Sequence, residues 1–317
     1  MAITPSPKSP LAGIAWGDRI FRAVLVLAAL AIPALLLGLL WQLGVGASPA
    51  IDAFGLDFVT TSTWDPVAER FGAWPLVFGT LLTSFIALLL AVPLSLGVAV
   101  YLTEFAPNRI RRPIATVIEL LAAIPSVVYG LWGIFVLIPF LTEHVYPRLQ
   151  GALGFLPIFQ GPIYGPSVLS ASLILTIMVM PYIMSVSREV LLAVPDSQRE
   201  AALALGATRW EAVRTAIVPY AKSGIIGAVI LGLGRALGET MAVTMLIGNR
   251  HEIGASLFAP GYSMAAVIAN EFAEAGIGTL HAAALSYVAL LLFGITVVMN
   301  AAARLLIWRV NRTRGGT

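Results

Sequence analysis

The chain contains no cysteine, which removes disulfides, thiolate metal sites and cysteine nucleophiles together. Charge is scarce: only 11% of its 317 residues are Asp, Glu, Lys or Arg. No polar stretch is long enough to bury a core of its own, so no separate water-soluble domain is expected. Histidine occurs at positions 144, 251 and 281 only, without the spacing of a metal site. A G-x-x-x-x-G-K-[S/T] phosphate loop is also missing, so the chain is not itself an ATPase of that kind. What remains is apolar. Hydrophobic residues make up 59% of the chain, and its mean hydropathy of +0.91 lies far outside the range of water-soluble domains.

Several apolar runs approach the roughly 20 residues that cross the hydrocarbon core as a helix. Six are expected to span, at about 20–43, 76–102, 114–141, 167–187, 223–247 and 280–307. The fold class is therefore all-α integral membrane, with six transmembrane helices. The first run is longer than a signal-peptide core and no small-residue cleavage pattern follows it closely, so it reads as a retained span. Residues 1–19 and 311–317 are expected as short tails, the first rich in Pro and Ser and expected to be disordered. With these spans, fifteen of the 19 Lys and Arg fall on one side of the membrane. Arg70, Arg148 and Arg250 fall on the other, and Arg235 lies within a span. The positive-inside rule then puts both termini in the cytoplasm.

Two segments carry more information than their neighbours. The basic-side loop 188–222 reads SREVLLAVPDSQREAALALGATRWEAVRTAIVPYAKSG with its flanking residues. Ser197 to Glu200 and Thr208 to Glu211 each fit a capping box, with Gly206 between them. The pattern predicts helix, tight turn, helix, with Pro219 marking the return to the membrane. Such a hairpin either docks on a partner or simply connects two spans. The second segment, SGIIGAVILGLGRALGETMAVTMLIGN, is apolar except for Arg235 and Glu239. Four residues apart, these fall on one face of a continuous helix, near mid-span. An arginine there costs roughly 2.5–3.5 kcal/mol on insertion scales. Either the two form an internal brace, or Arg235, Glu239 and Thr240 line the path of an anion that a guanidinium suits.

Glu200-Ala201-Ala202, three residues, Gly206 and then Pro219 resemble the EAA loop of the ABC-importer permeases. Those permeases usually end the motif in I-x-L-P, whereas here Ala216-Ile217-Val218-Pro219 stands. The stretches LGLGRALGETMAVTMLIGN (231–249), ELLAAIPSVVYGLWG (119–133) and APGYSMAAVIANEF (259–272) resemble its phosphate-specific branch, the PstC-type permeases. The sister permease PstA shares R-A-x-G-E in its charged span but is not expected to continue as T-M-A-V-T-M-L-I-G-N.

The resemblance implies a type I ABC-importer permease fold in a bacterial or archaeal cytoplasmic membrane. It implies an assembly with a PstA-like permease, a dimer of ATP-binding subunits that hold ATP and Mg²⁺, and a phosphate-binding protein outside. Glu200, Ala201, Ala202 and Gly206 would then contact the ATPase, and inorganic phosphate would pass Arg235. The alternatives within the family are the PstA subunit and a permease for another oxyanion. Outside it stand a secondary transporter and a membrane enzyme, and the chain offers few ionisable residues within its spans for the latter.

Overall fold

The computed structural model describes residues 12–312. Six of its helices are long and apolar enough to cross a membrane. In chain order they are α1 (Ala12–Phe54), α2 (Trp74–Phe105), α4 (Ser126–Leu153), α5 (Val168–Leu192), α7 (Arg209–Leu237) and α10 (Leu280–Arg312). Shorter helices lie between them: α3 (Asn108–Ala123), α6 (Asp196–Ala204), α8 (Met241–Leu246) and α9 (Met264–Glu271). The expected tails at 1–19 and 311–317 lie partly outside the described residues, as do Lys8 and Arg314. Residues 12–19 are already helical, so α1 begins well before the expected span.

α5 is the central helix, and its apolar face is buried along most of its length against α2 and α7. Ile174, Leu175, Met178 and Ile183 on α5 close the middle layer with Ala87 and Ala91 of α2. α1 stands at the edge: its most apolar stretch buries nothing within this chain. It joins the bundle only towards its end, where Ala47 and Ala50 are fully buried with Ala283 and Ala284 of α10. Because lipid is as apolar as leucine, exposed aliphatic side chains on α1 need no protein cover.

Two expected spans are interrupted. The third, expected over 114–141, splits at Ile124 and Pro125, both extended (ψ 129° and 141°). Proline forces the residue before it out of the helical region, and Pro125 has no N–H to continue the ladder. The preceding piece becomes the separate amphipathic helix α3, and the spanning helix α4 starts at Ser126 and runs further, to Leu153. The fifth expected span, 223–247, breaks at Gly238–Thr240 into α7 and α8. α7 in turn starts earlier than expected, at Arg209, and passes straight through Pro219. A wide π-type stretch at Val213–Ile217 takes up the disruption that Pro219 would cause, so the proline does not turn the chain.

The end opposite the basic loops is closed by a cap of irregular chain. A two-residue hairpin pairs Trp64 with Phe71, and residues 248–261 fold back through a bridge between Gly248 and Gly261. This cap is pinned to α2, where Thr80 Oγ1 accepts a hydrogen bond of 2.9 Å from the Met264 amide. Beside it Gly79 lies so close to Tyr262 that a Cβ would meet the Tyr262 carbonyl oxygen at 2.1 Å. Since that oxygen belongs to backbone, it cannot swing away. Gly79→Ala is therefore expected to destabilise the cap by about 1–3 kcal/mol. A melt of the purified protein at unchanged temperature would contradict this contact.

Candidate functional site

Arg235 lies in the last turn of α7, where the unpaired carbonyls of the helix end carry partial negative charge. Its guanidinium carbon sits 4.1 Å from the centre of the Tyr182 ring on α5, a cation–π contact. Its Nε is buried without a hydrogen-bond partner. After Gly238 the helix stops, and Glu239 sits in the break rather than one turn above Arg235. Glu239 Oε1 instead accepts from the Ala242 amide at 3.4 Å, at the start of α8. The negative side chain thus meets the positive start of one half-helix, and the positive residue lies in the last, partly negative turn of the other. Among the described residues Arg235 and Glu239 form no ion pair. The continuous helix face expected for them is corrected by the Gly238–Thr240 break. Thr240 lies in the break beside them, its hydroxyl 3.4 Å from the Gly238 carbonyl.

The second broken span packs against the first. Gly130 and Gly133 of α4 let α8 approach so closely that added Cβ atoms would meet Met245 and Leu246 side chains at under 3 Å. The Tyr129 hydroxyl reaches back across the Ile124–Pro125 break to donate to the Leu121 carbonyl at 2.9 Å. Interrupted helices at membrane depth are tolerated where protein or a water-filled path surrounds them.

At the basic end, α6 carries Glu200, Ala201 and Ala202, and Gly206 makes the turn that follows. Gly206 has φ +85°, which a side chain would disfavour. Thr208 and Glu211 form the expected capping box. The one expected at Ser197–Glu200 is absent, because the helix already starts at Asp196 behind Pro195. α6 buries none of its residues in this chain. Leu203, Leu205 and Trp210 around the turn are likewise exposed, Leu205 at 89%. Large apolar side chains clustered on a short exposed hairpin mark a surface meant to be covered.

That hairpin is joined to α2 and α5 by a residue that no local motif singles out. Arg199 of α6 donates to Glu104 at the end of α2 (3.1 Å), to Asp196 (3.0 Å), and to the Val194 and Leu191 carbonyls (2.6 and 2.9 Å). Its side chain and that of Glu104 are 20% and 12% exposed. One guanidinium therefore ties α6, the end of α5 and the end of α2 into a single body. Only proximity in space joins Arg199 to Glu104, so no local pattern announces the pair.

A third cluster lies in the cap. Glu271 accepts from Trp64 Nε1 (2.9 Å), stands 3.0 Å from His281 Nε2 and 3.7 Å from His251 Nε2. Two histidines that looked scattered are thus brought onto one carboxylate, although no metal-binding group forms among the described residues. Burial holds His251 below its ordinary value of 6.5, against the pull of Glu271. Burial likewise pushes Tyr262 up to about 12, against the hydrogen bond from Asn270.

The chain matches the family model for the binding-protein-dependent transport system inner membrane component over residues 91–312. It belongs to that family. It is 44% identical to the phosphate transport system permease protein PstC of Mesorhizobium japonicum over 99% of this chain and 97% of that one. With the PstC protein of Haemophilus influenzae it shares 47% identity over 95% and 96%. Among solved structures, a permease chain of a bacterial alginate ABC transporter, in complex with its alginate-loaded periplasmic protein, matches with a TM-score of 0.60. At 17% identity over 93% of this chain and 97% of that one, this supports the ABC-importer permease fold.

Two outcomes follow. Glu104→Gln leaves Arg199 only the exposed carboxylate of Asp196, and a cost of about 2 kcal/mol is expected for losing so little-exposed a partner. It should appear as faster proteolysis within residues 193–208, and unchanged cleavage there would remove the tie. The folded state disfavours protonated His251, whereas the unfolded chain protonates it near 6.5. Stability is therefore lost as pH falls below about 6.5, and His251→Gln should flatten that part of the melting profile. An identical slope in the variant would count against it.

Proposed function

We propose that the chain is a permease subunit of an ATP-driven importer of inorganic phosphate, forming half of the path through the membrane. The observation that carries this reading is near-full-length relatedness to proteins named as phosphate transport permeases. The chain performs no chemistry of its own; ATP and Mg²⁺ would be bound by a separate pair of ATP-binding subunits. A PstA-like permease would complete the path, and a phosphate-binding protein would deliver the solute. The membrane would be a bacterial or archaeal cytoplasmic membrane, with the basic loops and both termini on the cytoplasmic side.

The exposed hairpin of Glu200, Ala201, Ala202 and Gly206 would sit in a groove of the ATPase. Small alanines allow close approach, Leu203 and Leu205 supply apolar area, and Glu200 offers a carboxylate to a basic partner. When ATP closes the ATPase dimer, the hairpin moves with it. The Arg199–Glu104 tie would pass that motion to α2 and α5 as a rigid-body shift.

Phosphate would meet Arg235, whose permanent charge needs no protonation step. The guanidinium rests on the Tyr182 ring rather than on a carboxylate, so it is half-buried but not neutralised. That leaves it free to exchange a weak partner for an oxyanion and to let the ion go. Glu239 and Thr240 would line the same gap.

The test is uptake of labelled phosphate by proteoliposomes containing the complete importer, with unlabelled sulfate and molybdate as competitors. Arg235→Gln should lower uptake about tenfold or more in an assembled complex, and only phosphate should compete. Normal uptake by the variant would make Arg235 a structural brace. Wild-type importer that ignores phosphate would refute the substrate.

A further inference from the structure

At the basic end of the bundle, the start of α3 and the end of α5 flank a half-open cavity of about 490 Å³. It is lined by Asn108, Arg109, Arg111, Arg112, Arg188 and Leu192. Four of those six residues are arginines, and they come from two segments far apart in sequence. A topological signal needs basic residues near a span end but does not need them to converge on one cavity.

Their internal compensation is poor. Arg188 donates to Glu189 at 2.9 Å, but that carboxylate is 69% exposed, which makes the pair weak. Arg111 donates to the Thr103 and Ala106 carbonyls at 2.9 and 3.3 Å, capping the end of α2 without any neutralising charge. The Nε atoms of both Arg111 and Arg188 are buried and unpaired. Arg109 and Arg112 are exposed and make no ion pair among the described residues.

The backbone adds to the imbalance. α3 begins here with no side-chain cap and no acidic residue in its first turn. A helix start carries partial positive charge and favours anions, yet this one holds three arginines. Guanidinium forks match the several oxygens of a phosphate group better than a lone carboxylate. On the same helix Val117 and Leu120 are 54% and 64% exposed, an apolar surface beside a basic one.

We propose that this cavity binds a phosphate group, presented either by an anionic lipid head group or by free inorganic phosphate. The site is separate from Arg235 and does not depend on which solute the importer carries. A resident phosphate group would neutralise the start of α3 and bridge it to α5. Through Arg111 it would also be joined to the end of α2, close to the Glu104–Arg199 tie.

The experiment uses the assembled complex containing the full chain, wild type against Arg109→Gln/Arg112→Gln. These two side chains are exposed and make no ion pair among the described residues, so the variant is expected to fold; should it not assemble, Arg112→Gln alone serves. In one arm, native mass spectrometry counts phosphatidylglycerol retained from mixed vesicles with phosphatidylcholine. In the other, binding of radiolabelled inorganic phosphate is measured in a zwitterionic detergent. Only the difference between wild type and variant is read, so phosphate held elsewhere cancels. One arm should show an affinity loss of about tenfold or more, and Arg148→Gln, a charge loss remote from the cavity, should show none. Loss in the lipid arm identifies a head group; loss in the phosphate arm identifies the free ion. Equal binding by wild type and variant in both arms, or an equal loss with Arg148→Gln, would overturn the proposal.

Discussion

Hydrocarbon offers no hydrogen-bond partner, so wherever a helix is interrupted at membrane depth, its loose ends must be satisfied by the protein itself. That constraint organises this chain. An arginine and a glutamate in an apolar segment look like a pair that must neutralise each other. The structure satisfies them separately, by breaking the helix between them and giving each charge the helix end of opposite polarity. The Gly238–Thr240 break therefore makes the charges tolerable without consuming them in an ion pair. The proposed role of Arg235 depends on this difference, because an arginine locked to a carboxylate has little left to offer a passing anion.

At the opposite end the same economy is visible in Arg199. α6 buries none of its residues in this chain, and a helix so short has little stability of its own in water. Its orientation rests on one guanidinium that reaches three structural elements. A hairpin attached by a flexible loop would absorb a partner's movement, whereas one attached through Arg199 transmits it. The apolar exposure of Leu203, Leu205 and Trp210 and the rigidity of the attachment are thus two halves of one device.

The legible part of the fold was the part governed by hydropathy. Six apolar runs, the hairpin around Gly206 and the capping box at Thr208 all follow from local composition and spacing. The interruptions were harder to read. Pro125 lies inside the expected third span, but whether a proline bends a helix or splits it depends on what waits to satisfy the freed groups, here the Tyr129 hydroxyl on the Leu121 carbonyl. Pro219 invited a turn, but a π stretch upstream absorbed it. Gly238 is one of several glycines in the expected fifth span, and nothing local separates a packing glycine from a terminating one. Contacts such as Arg199 with Glu104, or the two histidines on Glu271, join residues distant in sequence and leave no trace in the linear pattern.

The two breaks also bear on each other. α8, the piece beyond Gly238, packs directly on α4, the piece beyond Pro125, and the contact is made close by Gly130 and Gly133. A displacement of either half-helix must therefore displace the other. The long helices α5 and α7 are interlocked along Ile183 and Gly232, where an added Cβ would meet the isoleucine at 2.7 Å. Dense packing of that kind moves as a block rather than bending. Motion entering at the Arg199 tie would thus travel up α5 as a unit and arrive at Tyr182, directly beneath the Arg235 guanidinium. In the proposed cycle the cation–π contact is the element that shift would make or break. It costs little to exchange for an oxyanion, and it needs no proton to be moved.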